Sequence, residues 1–438
     1  MMSYAKWNVE EIEHTRIQLN NLQQQLEKYT STKKLGLAFV QAVLWGVKRK
    51  FSSFTTSDAS QSEPATDFFA KNPDFKSYQI KLKTPLSTHV PKILHVIPYF
   101  ITGGSQQLVV DLIEGLSDQY VHEVVLLAKH SEQGYVGVTT HDCSTVRDPQ
   151  DFTALLNTIK PNIVHVHYYG RYVELRGGIK WPYAFWQWYH AIFQGTKAYG
   201  CPIIENCNIP FMPYFDAGIT RYVYVSKYAQ DTYGVRDMPN QVVYPGSNFS
   251  FFQRNGIQPD PDTIGMVYRL DHDKLNERAI EPFIRTVEKR PTTKVLIVGG
   301  GEFLELFRNK VTTANLQSQF TFTGYVAYEK LVELYQKMAV FVAPVHSESF
   351  GQVTPFAMNM GIAVAAYNIG ALEEMLVMPE VLAPGDDAEE LSDIIVNLLN
   401  DSSKREKIGA FNASRAAELF TVETMVKAYR EIYQSLVL

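Results

Sequence analysis

The sequence predicts an α/β protein in which two doubly wound, Rossmann-like domains face each other across a cleft, with a helical extension before them. Two successive series of short buried strands alternate with helices, which is the pattern expected of parallel sheets covered by helices. A break rich in glycine, asparagine and proline over 246–262 separates the two series. Glycine-rich turns follow several strands, at the edge of the sheet where ligands bind in such folds.

The composition excludes several other classes of protein. The chain has 438 residues, of which 45% are hydrophobic and 20% charged, and this suits two globular domains with extensions. A net charge of −5 argues against nucleic-acid binding, which usually requires a strongly basic face. Three cysteines and polar opening residues predict neither a disulfide framework nor a signal peptide. We therefore expect a cytoplasmic protein, either free or peripheral on the inner face of the membrane.

The helical extension, residues 1–51, carries two patterns. Apolar residues recur every three or four positions over 9–29, which predicts either self-association as a coiled coil or a helix packed on the rest of the protein. Basic residues flank an apolar run within 33–50, which predicts either contact with an anionic membrane surface or a buried helix. The run is shorter than the roughly 20 residues that span a bilayer. Residues 52–90 are rich in serine, threonine, aspartate and proline and are interpreted as a linker.

The first domain is predicted over 91–250. A buried strand at 92–98 leads through Gly103 and Gly104 into a helix at 105–116. Two glycines allow the backbone to approach a phosphate or an acceptor closely, although a tight turn without a ligand gives the same pattern. Further strands are predicted at 124–127, 163–167, 202–204 and 222–225.

Two histidines lie in the predicted strand at 163–167. Because side chains alternate along a strand, His165 and His167 share one face of the sheet. His167 stands at the carboxyl end of the strand, which favours a position at the cleft. A histidine satisfied within the core is the alternative interpretation for both.

The second domain is predicted over 251–421. Its predicted strands lie at 264–268, 294–298, 320–322, 340–343 and 363–366, and its predicted helices at 277–287, 302–310, 329–337 and 353–360. Two cations, Arg269 and Lys274, follow the first of these strands directly. Cations in such a loop stabilise a departing diphosphate, although they are also common on a solvated surface. Gly300 follows the next strand, and Tyr325 and Val326 follow the one after it.

One stretch, 344–361, indicates the function. It has the order of a strand, a glycine loop with Glu348 and Gly351, and a helix start, and a second loop over 370–374 follows. This pattern resembles the donor-site signature of the retaining family 4 glycosyltransferases, or glycosyl transferases group 1, which have the GT-B fold. The resemblance extends over about 92–438, and it implies that the helix at 422–438 packs back on the first domain. A second glutamate of the signature would fall at Phe356.

The resemblance implies roles for particular residues. Arg269 and Lys274 would meet the donor diphosphate, and Glu348 would orient the donor sugar. His167 would lie near the reacting sugar. The remaining donor-binding residues that the resemblance implies are Gly103, Gly104, Gly300, Tyr325, Val326, Phe350, Gly351, Gln352, Val353, Phe356 and Glu374. We expect no metal ion and no other cofactor.

The expected function is therefore the transfer, with retention, of a hexose or deoxyhexose from a nucleotide sugar. The acceptor would be a glycan or a lipid-linked sugar in cell-surface polysaccharide or glycoconjugate synthesis. Phe356 cannot accept hydrogen bonds from a ribose, which favours a deoxyribose donor, a dTDP-sugar such as dTDP-rhamnose, over UDP- or GDP-sugars. A catalytically degenerate protein that serves as a scaffold is the alternative, and a GT-B epimerase or phosphorylase is another.

Overall fold

The computed structural model describes residues 77–437, except 88–89, 102, 128–133, 170–173, 176–178, 181–182, 210–211 and 236. Residues 74–438 form one compact unit. The patterns predicted at 9–29 and 33–50, and most of the linker at 52–90, lie outside the described residues. Within the described part of the chain, every helix is too short or too polar to cross a lipid bilayer.

The first sheet has seven parallel strands in the order β11-β10-β9-β6-β2-β3-β5. Its strands are β2 Lys92–Val96, β3 Val121–Leu126, β5 Thr139–Asp142, β6 Ile163–Tyr168, β9 Ile203–Cys207, β10 Arg221–Tyr224 and β11 Asn240–Val242. Its helices are α1 Gly104–Leu116, α2 Pro149–Ile159, α3 Tyr183–Tyr199 and α4 Lys227–Tyr233. Two small pairs accompany the sheet: β1 Tyr78–Gln79 with β4 Tyr135–Val136, and β7 Glu174–Leu175 with β8 Ile179–Lys180.

The second sheet has six parallel strands in the order β14-β13-β12-β15-β16-β17. Its strands are β12 Thr263–Val267, β13 Lys294–Val298, β14 Phe320–Phe322, β15 Val340–Ala343, β16 Ala363–Tyr367 and β17 Leu382–Ala383. Its helices are α5 Glu281–Lys289, α6 Leu304–Thr313, α7 Leu331–Lys337, α8 Val353–Asn359, α9 Leu372–Leu376, α10 Ala388–Asn400 and α11 Ser402–Leu419. The final helix, α12, spans Val422–Leu436.

The predicted strands are confirmed in both series, but one helix begins four residues later than predicted. The sequence indicated a helix at 277–287, whereas α5 starts at Glu281. Pro282 explains the difference, because proline has no amide hydrogen and fits a helix only in its first turn. A helix that started at residue 277 would need the amide of residue 282 to donate to the Arg278 carbonyl, and proline cannot donate.

Two consecutive helices, α10 and α11, were not predicted. Each begins after an aspartate whose side chain caps it: Asp387 accepts hydrogen bonds from the amides of Glu389 and Glu390, and Asp401 accepts from Lys404. An aspartate at this position, directly before a helical pattern, is a recognised start signal. The sequence therefore contained the start signals for both helices, although the prediction named no helix between 375 and 421.

The final helix packs against α1 and the first sheet, although it follows the second sheet in sequence. Met425, Tyr429 and Tyr433 on its inner face are buried with Ile93 and Leu108 of the first half. The two segments that join the halves run side by side, since the Ser247 amide donates to the Phe420 carbonyl at 2.8 Å. The first sheet thus completes its core with residues that come from beyond the second.

Helix α1 buries a carboxyl group, Asp111, whose Oδ1 accepts a hydrogen bond from Gln107 at 2.8 Å. Burial raises the pKa of Asp111 from 3.8 to about 7. Between these values the unfolded chain has lost the proton that the folded chain keeps, so this group's contribution to stability falls as pH rises.

We expect Asp111→Asn to gain stability relative to the unmodified protein as pH increases from 4 to 7. The gain has an upper limit of about 4 kcal/mol, because one pKa unit corresponds to about 1.4 kcal/mol. Urea unfolding of both proteins at several pH values measures it. A stability difference that does not change with pH would contradict the assignment.

Candidate active site

The centre of the candidate site is a buried ion pair between two loops at the carboxyl ends of β12 and β15. Lys274 Nζ lies 2.6 Å from Glu348 Oε1, and the Glu348 side chain is only 1% exposed. The two loops are also joined by the amide of His346, which donates to the Lys274 carbonyl at 3.0 Å. The second carboxylate oxygen, Glu348 Oε2, is buried and has no hydrogen-bond partner among the described residues. The pair therefore offers a free acceptor at the edge of the sheet where ligands bind.

Two glycines shape the Glu348 loop. Gly351 has a φ of 76°, and a Cβ atom there would lie 2.3 Å from Glu348 Oε2. Gly370 has a φ of 61°, and a Cβ atom there would lie 1.9 Å from the Glu348 carbonyl oxygen. The next amide, that of Ala371, donates to the same carbonyl at 3.2 Å. Glycine is needed at both positions because no other residue type combines a left-handed backbone with such close approach.

Arg269 lies at the end of β12 and is paired with an acidic residue that the sequence analysis did not single out. Its guanidinium forms an ion pair with Asp273, four residues further on. Burial raises the pKa of Asp273, although Arg269 and Lys274 oppose this shift. The sequence did not indicate this ion pair, because a spacing of four residues within a loop predicts no contact. Arg269 is half exposed, so its charge remains accessible from the cleft side of the loop.

The glycine turn after β13 meets the loop after β14. Gly299 and Gly324 form an isolated bridge, and a Cβ atom on Gly300 would lie 2.7 Å from the ring of Tyr325. Tyr325 is 57% exposed, whereas Val326 is partly buried against the core. The structure thus brings the predicted donor-binding residues Gly300, Tyr325 and Val326 together, and the exposed ring of Tyr325 lies next to Gly300.

Phe356 lies in α8, in an aromatic cluster. Its ring stacks on Phe252 with centroids 4.0 Å apart, and it meets Phe249 and Tyr328 edge-on. Only 6% of Phe356 is exposed. A carboxylate at this position would be desolvated among three rings, so the surrounding residues match the phenyl group rather than the glutamate of the signature.

The Glu348 loop also contacts the first half of the molecule. Ser349 Oγ donates to the Asn208 carbonyl at 3.2 Å, and Gln352 Nε2 donates to the Gly246 carbonyl at 3.1 Å. A Cβ atom on Gly104 would lie 3.8 Å from Gln352 Oε1, so the start of α1 adjoins this loop. Asn208 and Ser349 were not predicted from the sequence, because their contact depends on how the two halves meet.

Three predicted donor-binding residues are engaged in packing between segments. Glu374 accepts hydrogen bonds from the amides of Lys227 and Tyr228, at 2.9 and 2.8 Å, and from the Tyr244 hydroxyl at 2.9 Å. Phe350 stacks on Tyr244, with centroids 5.8 Å apart. The carbonyl of Val353, at the start of α8, accepts from the Tyr335 hydroxyl at 3.0 Å.

His167 is completely buried. Its Nδ1 lies 3.4 Å from Asn208 Nδ2, and its other neighbours are the rings of His95 and His165. Burial lowers the pKa of His167 well below its ordinary value, so the ring is neutral. The structure therefore places His167 one residue away from the Glu348 loop, through Asn208, and not in contact with Lys274 or Glu348 among the contacts of the described residues.

Residues 247–415 match the family model described as Glycosyl transferases group 1. The matched segment contains Arg269, Lys274, Glu348 and Phe356. The two sheets with their returning final helix form the GT-B fold. The predicted fold class is confirmed for the two Rossmann-like domains, and the predicted helical extension lies outside the described residues.

Named proteins resemble parts of this chain. The lipopolysaccharide core biosynthesis mannosyltransferase LpsB of Rhizobium meliloti is 23% identical over 219 residues, which is 46% of this chain and 62% of LpsB. A D-inositol 3-phosphate glycosyltransferase of Thermobifida fusca is 26% identical over 201 residues, which is 43% of this chain and 46% of that protein. The matches thus span from about half to under two thirds of these relatives.

Among solved structures, the Anabaena protein HepE in complex with UDP superposes with a TM-score of 0.63 at 17% identity. The superposition covers 79% of this chain and 100% of HepE. It supports the same fold for both sheets.

Proposed function

We propose that this protein is a retaining glycosyltransferase that moves a sugar from a nucleotide-sugar donor to a glycan or lipid-linked acceptor. The observation that carries the proposal is the buried pair of Lys274 and Glu348, whose Oε2 has no partner among the described residues. A buried acceptor left unpaired costs about 1–3 kcal/mol, which a hydroxyl of the donor sugar would remove on binding. The pair lies within the segment that matches a glycosyltransferase family.

The proposed donor diphosphate binds beside Arg269 and Lys274. Arg269 is paired with Asp273, and a diphosphate, with more charge and more oxygen atoms, would replace that carboxylate. The two cations then stabilise the negative charge that develops as the diphosphate leaves. The arginine guanidinium matches the geometry of phosphate, and that of Arg269 is half exposed. Of the two cations, Arg269 is therefore the better placed to exchange its carboxylate partner for a diphosphate.

The transfer step is proposed to occur on one face of the sugar. The bond between the anomeric carbon and the diphosphate oxygen breaks, and the acceptor oxygen forms its bond to the same face of that carbon. The departing diphosphate takes the acceptor proton, so no protein nucleophile and no metal ion take part. Glu348 orients the donor sugar through its free carboxylate oxygen, and His167 acts on the site through Asn208.

The acceptor is proposed to enter from the first half, where Gly104 adjoins Gln352. A glycan or lipid-linked sugar would suit a role in cell-surface polysaccharide or glycoconjugate synthesis on the cytoplasmic side of the membrane. The similarity to LpsB, named for lipopolysaccharide core biosynthesis, supports this setting.

The donor is proposed to be a dTDP-sugar, such as dTDP-rhamnose. The position at which the family signature has a ribose-binding glutamate holds Phe356, which cannot accept a hydrogen bond. A ribonucleotide would then leave one more hydroxyl unpaired than a deoxyribonucleotide. HepE was solved with UDP, so UDP is the main competitor.

Calorimetric titration of the full chain with dTDP, UDP, dUDP and GDP tests the donor. We expect dTDP to bind about tenfold more tightly than UDP, because an unpaired hydroxyl costs about 1–3 kcal/mol. The pair of UDP and dUDP isolates the 2′-hydroxyl, since the two share one base. Tighter binding of UDP or GDP than of dTDP would overturn the donor proposal and leave the transferase proposal standing. Absence of binding by all four would contradict both.

A further inference from the structure

Four histidines from three adjacent strands of the first sheet form a buried cluster. His95 lies in β2, His122 in β3, and His165 and His167 in β6. His95 and His165 are direct partners in the strand register, and the rings of His165 and His167 lie 4.4 Å apart. His95, His165 and His167 are fully inaccessible, and burial lowers the pKa of each well below its ordinary value, that of His165 to about 3. Neutral imidazole is the form that binds metals.

In each of the four rings, one nitrogen has a partner. His95 Nε2 lies 3.0 Å from His122 Nδ1, and His165 Nδ1 lies 2.8 Å from the Tyr433 hydroxyl. His167 Nδ1 faces the side-chain amide of Asn208.

The second nitrogen of His95, His165 and His167 has no such partner. His95 Nδ1, His165 Nε2 and His167 Nε2 are buried, and none has a hydrogen-bond partner within the described part of the chain. Buried polar groups are nearly always paired, and each unpaired one costs about 1–3 kcal/mol. His122 Nε2 is a fourth such atom in the cluster. The rings of His95, His165 and His167 are the three whose nitrogens lie close enough together to share one ligand.

We propose that His95, His165 and His167 bind a zinc ion in the core of the first half. One nitrogen from each ring lies within 4.8 Å of those from the other two. Tetrahedral zinc, with Zn–N distances of about 2.0–2.1 Å, requires ligand nitrogens about 3.3 Å apart, so the rings would need to close by up to roughly 1.5 Å. Three neutral imidazoles suit zinc and leave a fourth position for water. Zinc lowers the pKa of such a water to about 7, and the resulting hydroxide reduces the buried charge.

The partners of the three ligands support the assignment, because metal-bound histidines usually use their other nitrogen to hold a hydrogen bond that orients the ring. With the unpaired nitrogens of the three rings on the ion, His122, Tyr433 and Asn208 would occupy those positions. Asn208 can present either its oxygen or its nitrogen to His167 by a half-turn of its amide. Since Tyr433 belongs to α12, the zinc ion would fasten the final helix to the first sheet. The proposed zinc takes no part in the transfer step, and the inference does not depend on the proposed function.

The test is the zinc content of the full chain, purified after expression in zinc-supplemented medium and measured by mass spectrometry. We expect about one zinc ion per chain in the unmodified protein and less than about a tenth of that in His95→Asn and His167→Asn. The control is His141→Asn, a histidine of the same sheet that pairs with Glu123 outside the cluster. It should keep the full zinc content.

A second measurement covers variants that do not fold. The unmodified chain is unfolded with a chelator and refolded with Co²⁺, and visible d–d absorption of tetrahedral cobalt is expected, together with a higher melting temperature. Refolded protein that holds neither zinc nor cobalt would overturn the proposal. Equal zinc content in His95→Asn, His167→Asn and the control would also overturn it.

Discussion

Glu348→Gln is expected to lower the rate of sugar transfer by about 100-fold or more while the protein stays folded. Glutamine has the shape of glutamate but lacks the charge that pairs with Lys274 at 2.6 Å, and it presents an amide to the donor sugar. Loss of one preorganised polar group at a reacting centre typically costs 10²–10³ in rate. Transfer is measured by mass spectrometry of the product, and circular dichroism confirms the fold.

The partner variant separates catalysis from stability. Lys274→Met leaves the Glu348 carboxylate buried and unpaired, which is expected to cost about 3–5 kcal/mol of stability. The double variant Lys274→Met with Glu348→Gln should recover most of that stability without recovering transfer. Lys294→Met is the matched control, because Lys294 forms an ion pair of 2.7 Å with Asp260 on the surface. It should leave stability nearly unchanged, because water screens an exposed ion pair. If Glu348→Gln and Lys274→Met both keep full transfer and nucleotide binding, the assigned site is wrong.

Gly370→Ala is expected to destabilise the protein by about 3–5 kcal/mol and to abolish transfer. The left-handed backbone at a φ of 61° disfavours any side chain, and the added methyl group would lie 1.9 Å from the Glu348 carbonyl oxygen. Conformational strain of about 1–2 kcal/mol and displacement of the Glu348 loop act together. Urea unfolding measures the first effect, and the transfer assay measures the second.

Gly200→Ala is the control for this variant. Gly200 also has a positive φ, of 91°, but a Cβ atom there would have nothing within 4 Å. It should therefore show the strain alone, about 1–2 kcal/mol, with transfer unchanged. If Gly370→Ala and Gly200→Ala lost stability and transfer equally, the close approach of residue 370 to the Glu348 carbonyl would not explain the effect.

The positions of the strands could be predicted from sequence because each is a buried apolar run followed by a glycine or polar turn. That pattern depends on neighbouring residues only. The rule that parallel strands present their carboxyl ends at one edge also brings Lys274 and Glu348 towards each other, although 74 positions separate them. The sequence therefore indicated which charged side chains stand at this edge of the sheet.

Contacts between distant segments could not be predicted in the same way. Alternation along β6 correctly put His165 and His167 on one face, but it could not tell that α12 covers that face. Glu374 and Phe350 fit the family pattern in sequence, whereas their partners, such as Tyr244, come from the segment that joins the halves. Asn208 had no local signal, because its importance arises only from its position between His167 and Ser349.

The return of α12 to the first sheet has a consequence for synthesis on the ribosome. About 180 residues separate the end of β11 from the start of α12, and translation at 5–20 residues per second takes roughly 10–40 s to cover them. During that time the apolar face formed by Ile93, Leu108 and their neighbours has no cover. The half that is translated first is thus the half that finishes folding last, and chaperones that bind nascent chains have their longest opportunity there.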